Sequence, residues 1–523
     1  MTSLRLPRVP RGDPSADPLK KRCLPPALEV GIAGAPRAAL EEDAGMPDKA
    51  QRASRAGAMA RARAYVESGA FERDLARRVA FKTESQKLPT SLPQLRAYLT
   101  EEMVPAFTRL GFASRIYDNP LPGQGPVLLA SHFEDASLPT VIGYGHGDVI
   151  RGLEDQWTKG NGPWTVARDG ERLYGRGTAD NKGQHTINMA ALEAVQAERG
   201  GRLGFNAKFI IEMGEEAGSK GLSELVANHR ADFAADVLIA SDGPRVKPQR
   251  PTLSLGCRGA LNFDLVCDLR EGAHHSGNWG GLIANPGIVL AHALASITGA
   301  KGELLVEALK APPMSAAVKR ALEDVEIDAG DAGPTVDAWW GEPGLTPAER
   351  VYASNVFNVL AFTTGTPGRP VNAIPPKAVA NCQLRFVAGT EAKTIMPALQ
   401  RHLEARGFGS VKVTLPPGSN SGGFAATRTE PNHPWVQLVA ASLQRSDNSK
   451  PALIPQTGGS ICNDVFTDIL GMPTIWIPHS YAACSQHAPD EHVLLPLMRS
   501  AIQLMAGLYW DIGEGKGPTG GPA

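Results

Sequence analysis

No apolar run in the 523-residue chain approaches the roughly 18–20 residues that a helix needs to cross a bilayer, so no membrane partner is expected. An excess of one charge is also missing: 53 Lys and Arg face 54 Asp and Glu, a formal net charge of -1. A chain that wraps nucleic acid carries a basic stripe, so that partner class is not expected either. Six cysteines, at 23, 257, 267, 382, 462 and 484, show no C-x-x-C spacing. That pattern is neither a disulfide framework nor a thiolate zinc site, and it predicts free, mostly buried thiols. The N-terminal stretch lacks the clean apolar centre of a signal peptide, because Glu29 and several prolines interrupt it. Cytoplasm is the expected location. No internal repeat is visible.

What is present is 42% hydrophobic and 20% charged residues, over a length that can bury two sizeable cores. Residues 1 to about 48 are rich in Pro, Gly, Ala and Arg without periodicity and are expected to form a poorly ordered extension, with Met46 as an alternative start. Helical patterns follow at 50–79 and 93–110, the second with Pro105 as an expected kink. Strand-like runs at 140–144, 207–212 and 236–240 alternate with helices, which indicates an α/β domain with a largely parallel sheet. From about Thr252 the texture changes. Residues 253–268 read as one long strand, 281–297 as a helix, 356–363 and 378–387 as a strand pair, 392–406 as a helix and 411–415 as a strand. That mixture predicts a small α+β domain inserted into a larger one, with 49–251 and 418–523 as the two parts of the larger domain and 252–417 as the insert.

Five polar clusters punctuate these elements. Gly145-His146-Gly147-Asp148 follows a strand-like run, where functional groups collect in open sheets. There Asp148 can orient the His146 imidazole as a carboxylate behind it. Residues 173–183 hold three glycines around Asp180, a tight loop whose carboxylate has two oxygens to offer two cations. Glu215 and Glu216 stand side by side after another strand-like run. Like charges this close raise one another's pKa, and a dication would compensate one while the other serves as a general base. Asp242 ends a further apolar run, and His487 sits in the polar stretch 485–491. Taken singly, the His146, Asp242 and His487 clusters read more readily as structural residues or turns, the glutamate pair reads either way, and the Asp180 loop reads more readily as a site. Taken in order, the first four are separated by about 25–36 residues, enough for crossover connections. Imidazole and carboxylate donors without thiolates suit zinc, manganese or cobalt.

These segments resemble the superfamily of cocatalytic metallopeptidases that includes carnosinase-type dipeptidases, glutamate carboxypeptidase, aminoacylase and succinyl-diaminopimelate desuccinylase. The shared patterns are G-H-x-D, Y-G-R-G-x-x-D-x-K-G, E-x-x-E-E-x-G-S, S-D and a late histidine, spread over about residues 70–512. The resemblance implies a phosphorylase/hydrolase-like mixed-sheet α/β catalytic domain carrying an inserted, ferredoxin-like α+β lid and dimerisation domain. It also implies two divalent metal ions per subunit, zinc first, with manganese or cobalt as alternatives. His146 and Asp242 would hold one metal and Glu216 and His487 the other, with Asp180 bridging across a cis Asp180–Asn181 peptide. Glu215 would be the general base and Asp148 would orient His146. His275, in a stretch similar to the carnosinase branch, implies a homodimer in which it reaches the partner's site; His274 beside it leaves open which of the two does so. Arg385 resembles the lid arginine that clamps a substrate carboxylate, a task suited to a guanidinium fork. Gly458-Gly459-Ser460 looks like a carboxylate-binding loop, and Asn372 is expected at the pocket wall.

The implied activity is cleavage of the amide bond of a dipeptide or short peptide with a free carboxylate, with Glu215 as base. The large insert favours the dipeptidase branch. The alternative is an N-acyl amino acid deacylase on the same scaffold. A binding protein that has lost catalysis is disfavoured, because every ligand position and the base are filled.

Overall fold

The computed structural model describes residues 53–327, 334–417 and 423–518. The expected N-terminal extension and Cys23 lie outside the described residues. The other five cysteines are free and buried, and among the described residues no helix is long and apolar enough to cross a membrane.

The strand Asn206–Glu212, with the sequence NAKFIIE, and the strand Val237–Ala240, with VLIA, are buried almost throughout. Near-continuous apolar runs of this kind belong at the centre of a sheet covered on both faces. They lie in an eight-stranded sheet whose spatial order is Ala113–Tyr117, Val127–His132, Asn206–Glu212, Thr140–His146, Val237–Ala240, Thr474–Trp476, Thr252–Ser254 and Ala452–Ile454. Thr140–His146 runs parallel to both neighbours, and Val237–Ala240 runs parallel to Thr474–Trp476. The sheet is nevertheless mixed. Ala113–Tyr117 and Val127–His132 pair antiparallel at one edge, because residues 118–126 are too few for a crossover.

One face of this sheet is covered by Lys182–Glu198, Arg55–Glu67 and Leu495–Asp511, which meet through Ala58, Ala62, Ala191, Val195, Ala501, Ile502 and Met505. The helix expected over 50–79 is two helices, Arg55–Glu67 and Ala70–Ala80, because Gly69 takes a left-handed φ of 74° between them. The helix expected over 93–110 contains a π turn at Tyr98–Met103 immediately before Pro105. Proline has no N–H to give the preceding turn, and the wider turn absorbs that mismatch.

The expected strand over 253–268 is also two strands. Thr252–Ser254 belongs to the large sheet, and Gly259–Asp268 starts a second sheet. That second sheet has the antiparallel order Val356–Thr364, Lys377–Phe386, Gly259–Asp268, Val411–Thr414, with Gly423–Phe424 also on Gly259–Asp268. Helices Pro286–Ile297 and Ala392–Ala405 pack on one face through Leu290, Ala293, Ile297, Ile395, Leu399 and Leu403. The chain order strand, helix, strand, strand, helix, strand is the ferredoxin-like arrangement.

His146 is the last residue of Thr140–His146, at the edge of the large sheet. It reaches that position because Gly145 lets the strand lie against the helix Lys182–Glu198: a Cβ on Gly145 would stand 2.6 Å from His185 Cβ. Gly145→Ala is expected to destabilise the protein by about 1–3 kcal/mol, the usual effect of overpacking. Gly368, with nothing within 4 Å of an added Cβ, is the control. Thermal unfolding of the two variants checks this: Gly145→Ala should lower the melting temperature and Gly368→Ala should not.

Candidate functional site

Three segments at the ends of parallel strands, the loop after Arg172–Tyr174 that carries Asp180, and one late loop converge. The Nε2 atom of His146 lies 2.9 Å from Asp180 Oδ1 and 3.7 Å from Asp242 Oδ2. The Nε2 atom of His487 lies 3.0 Å from Asp180 Oδ2 and 3.0 Å from Glu216 Oε2. The donor atoms of His146, Asp180 and Asp242 lie within 4.8 Å of one another, as do those of Asp180, Glu216 and His487. Asp180 is common to both groups and offers each a different oxygen. Imidazole and carboxylate donors at this spacing fit two divalent cations with one bridging carboxylate.

The neighbours of these residues fix their directions. His146 Nδ1 lies 3.0 Å from the main-chain oxygen of Asp148 and 3.6 Å from its Oδ1. The Asp148 carboxylate accepts the N–H groups of Glu215 and Glu216 at 3.2 and 3.1 Å. Asp148 therefore holds the imidazole with its carbonyl and aims the glutamate pair with its carboxylate. Glu215 Oε2 stands 4.0 Å from His146 Nε2 and retains 18% of its side-chain exposure. The peptide Asp180–Asn181 is cis. Buried Glu491, a residue to which the sequence assigns no role, receives the N–H groups of Gly177, Ala179 and Asp180 at 2.9–3.0 Å and that of Arg176 Nη1 at 2.8 Å. Gln486 donates to Asp180 Oδ2. The loop that brings Gln486 and His487 has Ser485, His487 and Asp490 in the left-handed region, a conformation costly for non-glycine residues that surrounding structure must enforce. Part of that enforcement is the Asp490 carboxylate, which receives the N–H groups of Thr158 and Lys159.

The electrostatics are those of an acidic cluster short of positive charge. Burial pushes Glu216 up to about 7 and Asp242 up to about 6, the latter helped by Asp180. Burial also raises Glu215 well above the usual carboxylate range, with Asp242 and Glu216 adding to the rise. Burial raises Asp180 too, but hydrogen bonds from His146 and His487 outweigh it and hold this carboxyl far below its ordinary value. The same bonds from Asp180 and Glu216 carry His487 up to about 10. His487 is half-exposed, so the cluster is open to solvent on that side.

A second polar group lies between the second sheet and the loop at residues 458–460. Arg385 Nη1 donates to Ser460 Oγ at 3.0 Å, and Ser460 Oγ donates to the carbonyl of Arg258 at 2.7 Å. Arg258 in turn donates to the Gly458 carbonyl. No atom lies within 4 Å of a Cβ built on Gly459, so open space adjoins this group. Two residues further on, Cys462 Sγ is 3.8 Å from Glu212 Oε2, at the end of the strand that leads to Glu215. The expected Arg385, Ser460 and Gly459 thus come together. Asn372 does not join them: its carbonyl accepts the N–H of Ser276, beside the strand pair that matches His274 to Ile374 and His275 to Ala373. His275 is exposed and its Nδ1 accepts the N–H of Gly277. Arg258 and Glu491 are the contributors that sequence reasoning missed. Glu491 had one available signal, an acid four residues after the late histidine.

Glu491→Ala is expected to cost about 3–5 kcal/mol, because it leaves a buried guanidinium and three backbone N–H groups unpaired. Calorimetric unfolding should show that loss, and elemental analysis should show less bound metal than in the parent protein.

A model of peptidase family M20/M25/M40 matches residues 142–511, a span that includes His146, Asp180, Glu215, Glu216, Asp242 and His487. The cysteinylglycine-S-conjugate dipeptidase of Corynebacterium striatum is 30% identical over 331 residues, 62% of this chain and 70% of that protein. The Beta-Ala-His dipeptidase of Rattus norvegicus is 30% identical over 392 residues, 70% of this chain and 76% of that protein. Among solved structures, the di-peptidase Dug1p of Saccharomyces cerevisiae has a TM-score of 0.69 at 20% identity, over 89% of this chain and 99% of its own. Human carnosine dipeptidase 1 has a TM-score of 0.68 at 22% identity, over 87% and 99%. These two likenesses show a shared fold. With the family match spanning most of the length, the chain belongs to peptidase family M20/M25/M40 and is a metallopeptidase.

Proposed function

We propose that this metallopeptidase cleaves dipeptides, or short peptides, that carry a free carboxylate, at a pair of divalent cations of which zinc is the first choice. The observation that carries this reading is the pair of donor groups sharing Asp180, with Glu215 beside them. His146 and Asp242 are assigned to one cation, Glu216 and His487 to the other. Two cations held by these residues would supply Lewis-acid chemistry, lowering the pKa of the attacking water and polarising the scissile carbonyl. Glu215 accepts the proton of the attacking water and passes it to the nitrogen of the departing amine. Asp148 keeps Glu215 and His146 in register for that transfer through the hydrogen bonds described above.

Arg385 and Ser460, with Gly459 beside them, are assigned to the substrate's terminal carboxylate. The geometry in favour is a guanidinium Nη1 and a hydroxyl 3.0 Å apart next to open space. The curated relatives named as dipeptidases support peptide hydrolysis over N-acyl amino acid deacylation. A homodimer is proposed as well. The edge strand Val356–Thr364 leaves Leu360 and Phe362 exposed, an apolar edge that a second copy can cover. His275 and Asn372, adjacent and exposed, are the residues offered to that copy's site. The division of the chain into a catalytic domain of residues 49–251 and 418–523 and a lid of about residues 252–417, and a cytoplasmic location, belong to the same reading.

Three measurements test it. Hydrolysis of a panel of dipeptides against a matched panel of N-acetyl amino acids should favour the dipeptides, and the reverse preference would replace this reading with deacylation. Glu215→Gln should keep its metal content while turnover falls by on the order of 10²–10⁴-fold; near-parental turnover would remove Glu215 as the base. Arg385→Ala should raise KM for a free-acid dipeptide by about 10–100-fold, the value of a charge-assisted contact. The same variant should leave KM for the amidated dipeptide little changed.

A further inference from the structure

A cavity of about 750 Å³ opens on the catalytic domain and is lined by Lys159, Arg172 and Arg245, with none of the five candidate metal ligands in its wall. Its size suits a small organic molecule rather than a lone solvent site. Its charge is unusual. Arg245 is 2% exposed, and its guanidinium donates only to uncharged groups: the carbonyls of Pro478 and Pro248, and Ser500 Oγ. Its Nη2 has no acceptor at all. Burial pulls this guanidinium down to about 10, partly offset by the more distant Asp447, so it remains charged at neutral pH. Burying a cation without a counter-ion is costly, and proteins normally pair one or bind an anion against it.

The other basic groups of the wall are no better neutralised. Arg172 is hydrogen-bonded to the phenol of Tyr481, an uncharged partner, and the carboxylate that attracts Lys159 is Asp490. The one carboxylate in the wall, Asp490, is already committed to the N–H groups of Thr158 and Lys159 and to the Thr158 hydroxyl. The Lys159 ammonium also attracts it. Three cations therefore face one occupied carboxylate. Tyr174, Tyr481 and His492 complete the wall with flat, partly apolar surface. Tyr481 and His492 bracket the loop that carries His487, and Ser485 and Asp490 of that loop line the cavity directly.

We propose that this cavity binds a small oxyanion, a phosphate or a carboxylate with room for an attached organic body, at a site separate from the metal centre and walled by the loop that presents His487. Arg245 supplies a fixed charge at the buried side. Arg172 and Lys159, both exposed, supply charge-assisted hydrogen bonds from the open side.

Calorimetric titration of the full, zinc-loaded chain with inorganic phosphate, and separately with succinate, tests the site. The comparison protein is K159A/R172A, whose two exposed changes leave the core intact; circular dichroism confirms its folding. The parent protein should bind at least one of the two anions, and the double variant should bind it at least about tenfold more weakly. Binding of phosphate alone identifies phosphate chemistry, and binding of succinate alone identifies a carboxylate. Equal titrations in parent and double variant would assign the anion to the metals or to Arg385 and overturn the proposal. No binding of either anion to the parent at about 10 mM would also overturn it.

Discussion

Five carboxylates, those of Asp148, Asp180, Glu215, Glu216 and Asp242, share a small and largely dry volume with only two imidazoles. That concentration of like charge is the constraint on which the rest of the site depends. Burial and mutual repulsion drive Glu215, Glu216 and Asp242 toward protonation, while His146 is drawn toward the imidazolium form by Asp148 and Asp180, and His487 by Asp180 and Glu216. The protein alone can balance this cluster only by binding protons. Two divalent cations would balance it better, and would leave the carboxylates ionised and the imidazoles neutral, which is the state that chemistry requires.

Much of the fold serves to hold this unfavourable arrangement in place. Parallel strands deliver His146, Glu215 and Asp242 to one edge of the sheet, and glycine at position 145 allows the strand to press against the helix behind it. Asp180 needs a different device because it comes from a loop. Glu491 gathers the amides of that loop and pairs with Arg176, so one buried carboxylate organises another that is offered to metal. The same late segment brings His487 in a left-handed conformation. His487, Gln486 and Glu491 thus arrive together from residues 486–491, which couples Asp180 to the loop that completes the second donor group.

The residues that meet here were legible in the sequence because each stands in a short polar cluster, three of them just after a strand-like run. The same periodicity located most helices and strands. It could not show that the apolar stretch 253–268 belongs to two sheets, since both halves are buried and look alike at the level of single residues. Nor could it reveal the break at Gly69, where one backbone torsion decides the outcome. Glu491 was hard to read because its partners, three main-chain amides and the Arg176 guanidinium, lie about 310 residues away, and amides leave no charge in the sequence to match. The association of Asn372 with His275 rather than Arg385 follows from a two-residue strand pairing, too short for any pattern. The unpaired Arg245 is likewise visible only once its surroundings are built.

Balance of the acidic cluster by two bound cations is what the proposed reaction depends on. It is tested most directly by counting bound metal per chain while following dipeptide hydrolysis, as a stripped sample is titrated with zinc. The stripped protein should show no hydrolysis, and activity should saturate at two equivalents. Appearance of activity should depend on the site closed by His487. Full hydrolysis in the stripped protein, or saturation without any zinc bound at these residues, would contradict it.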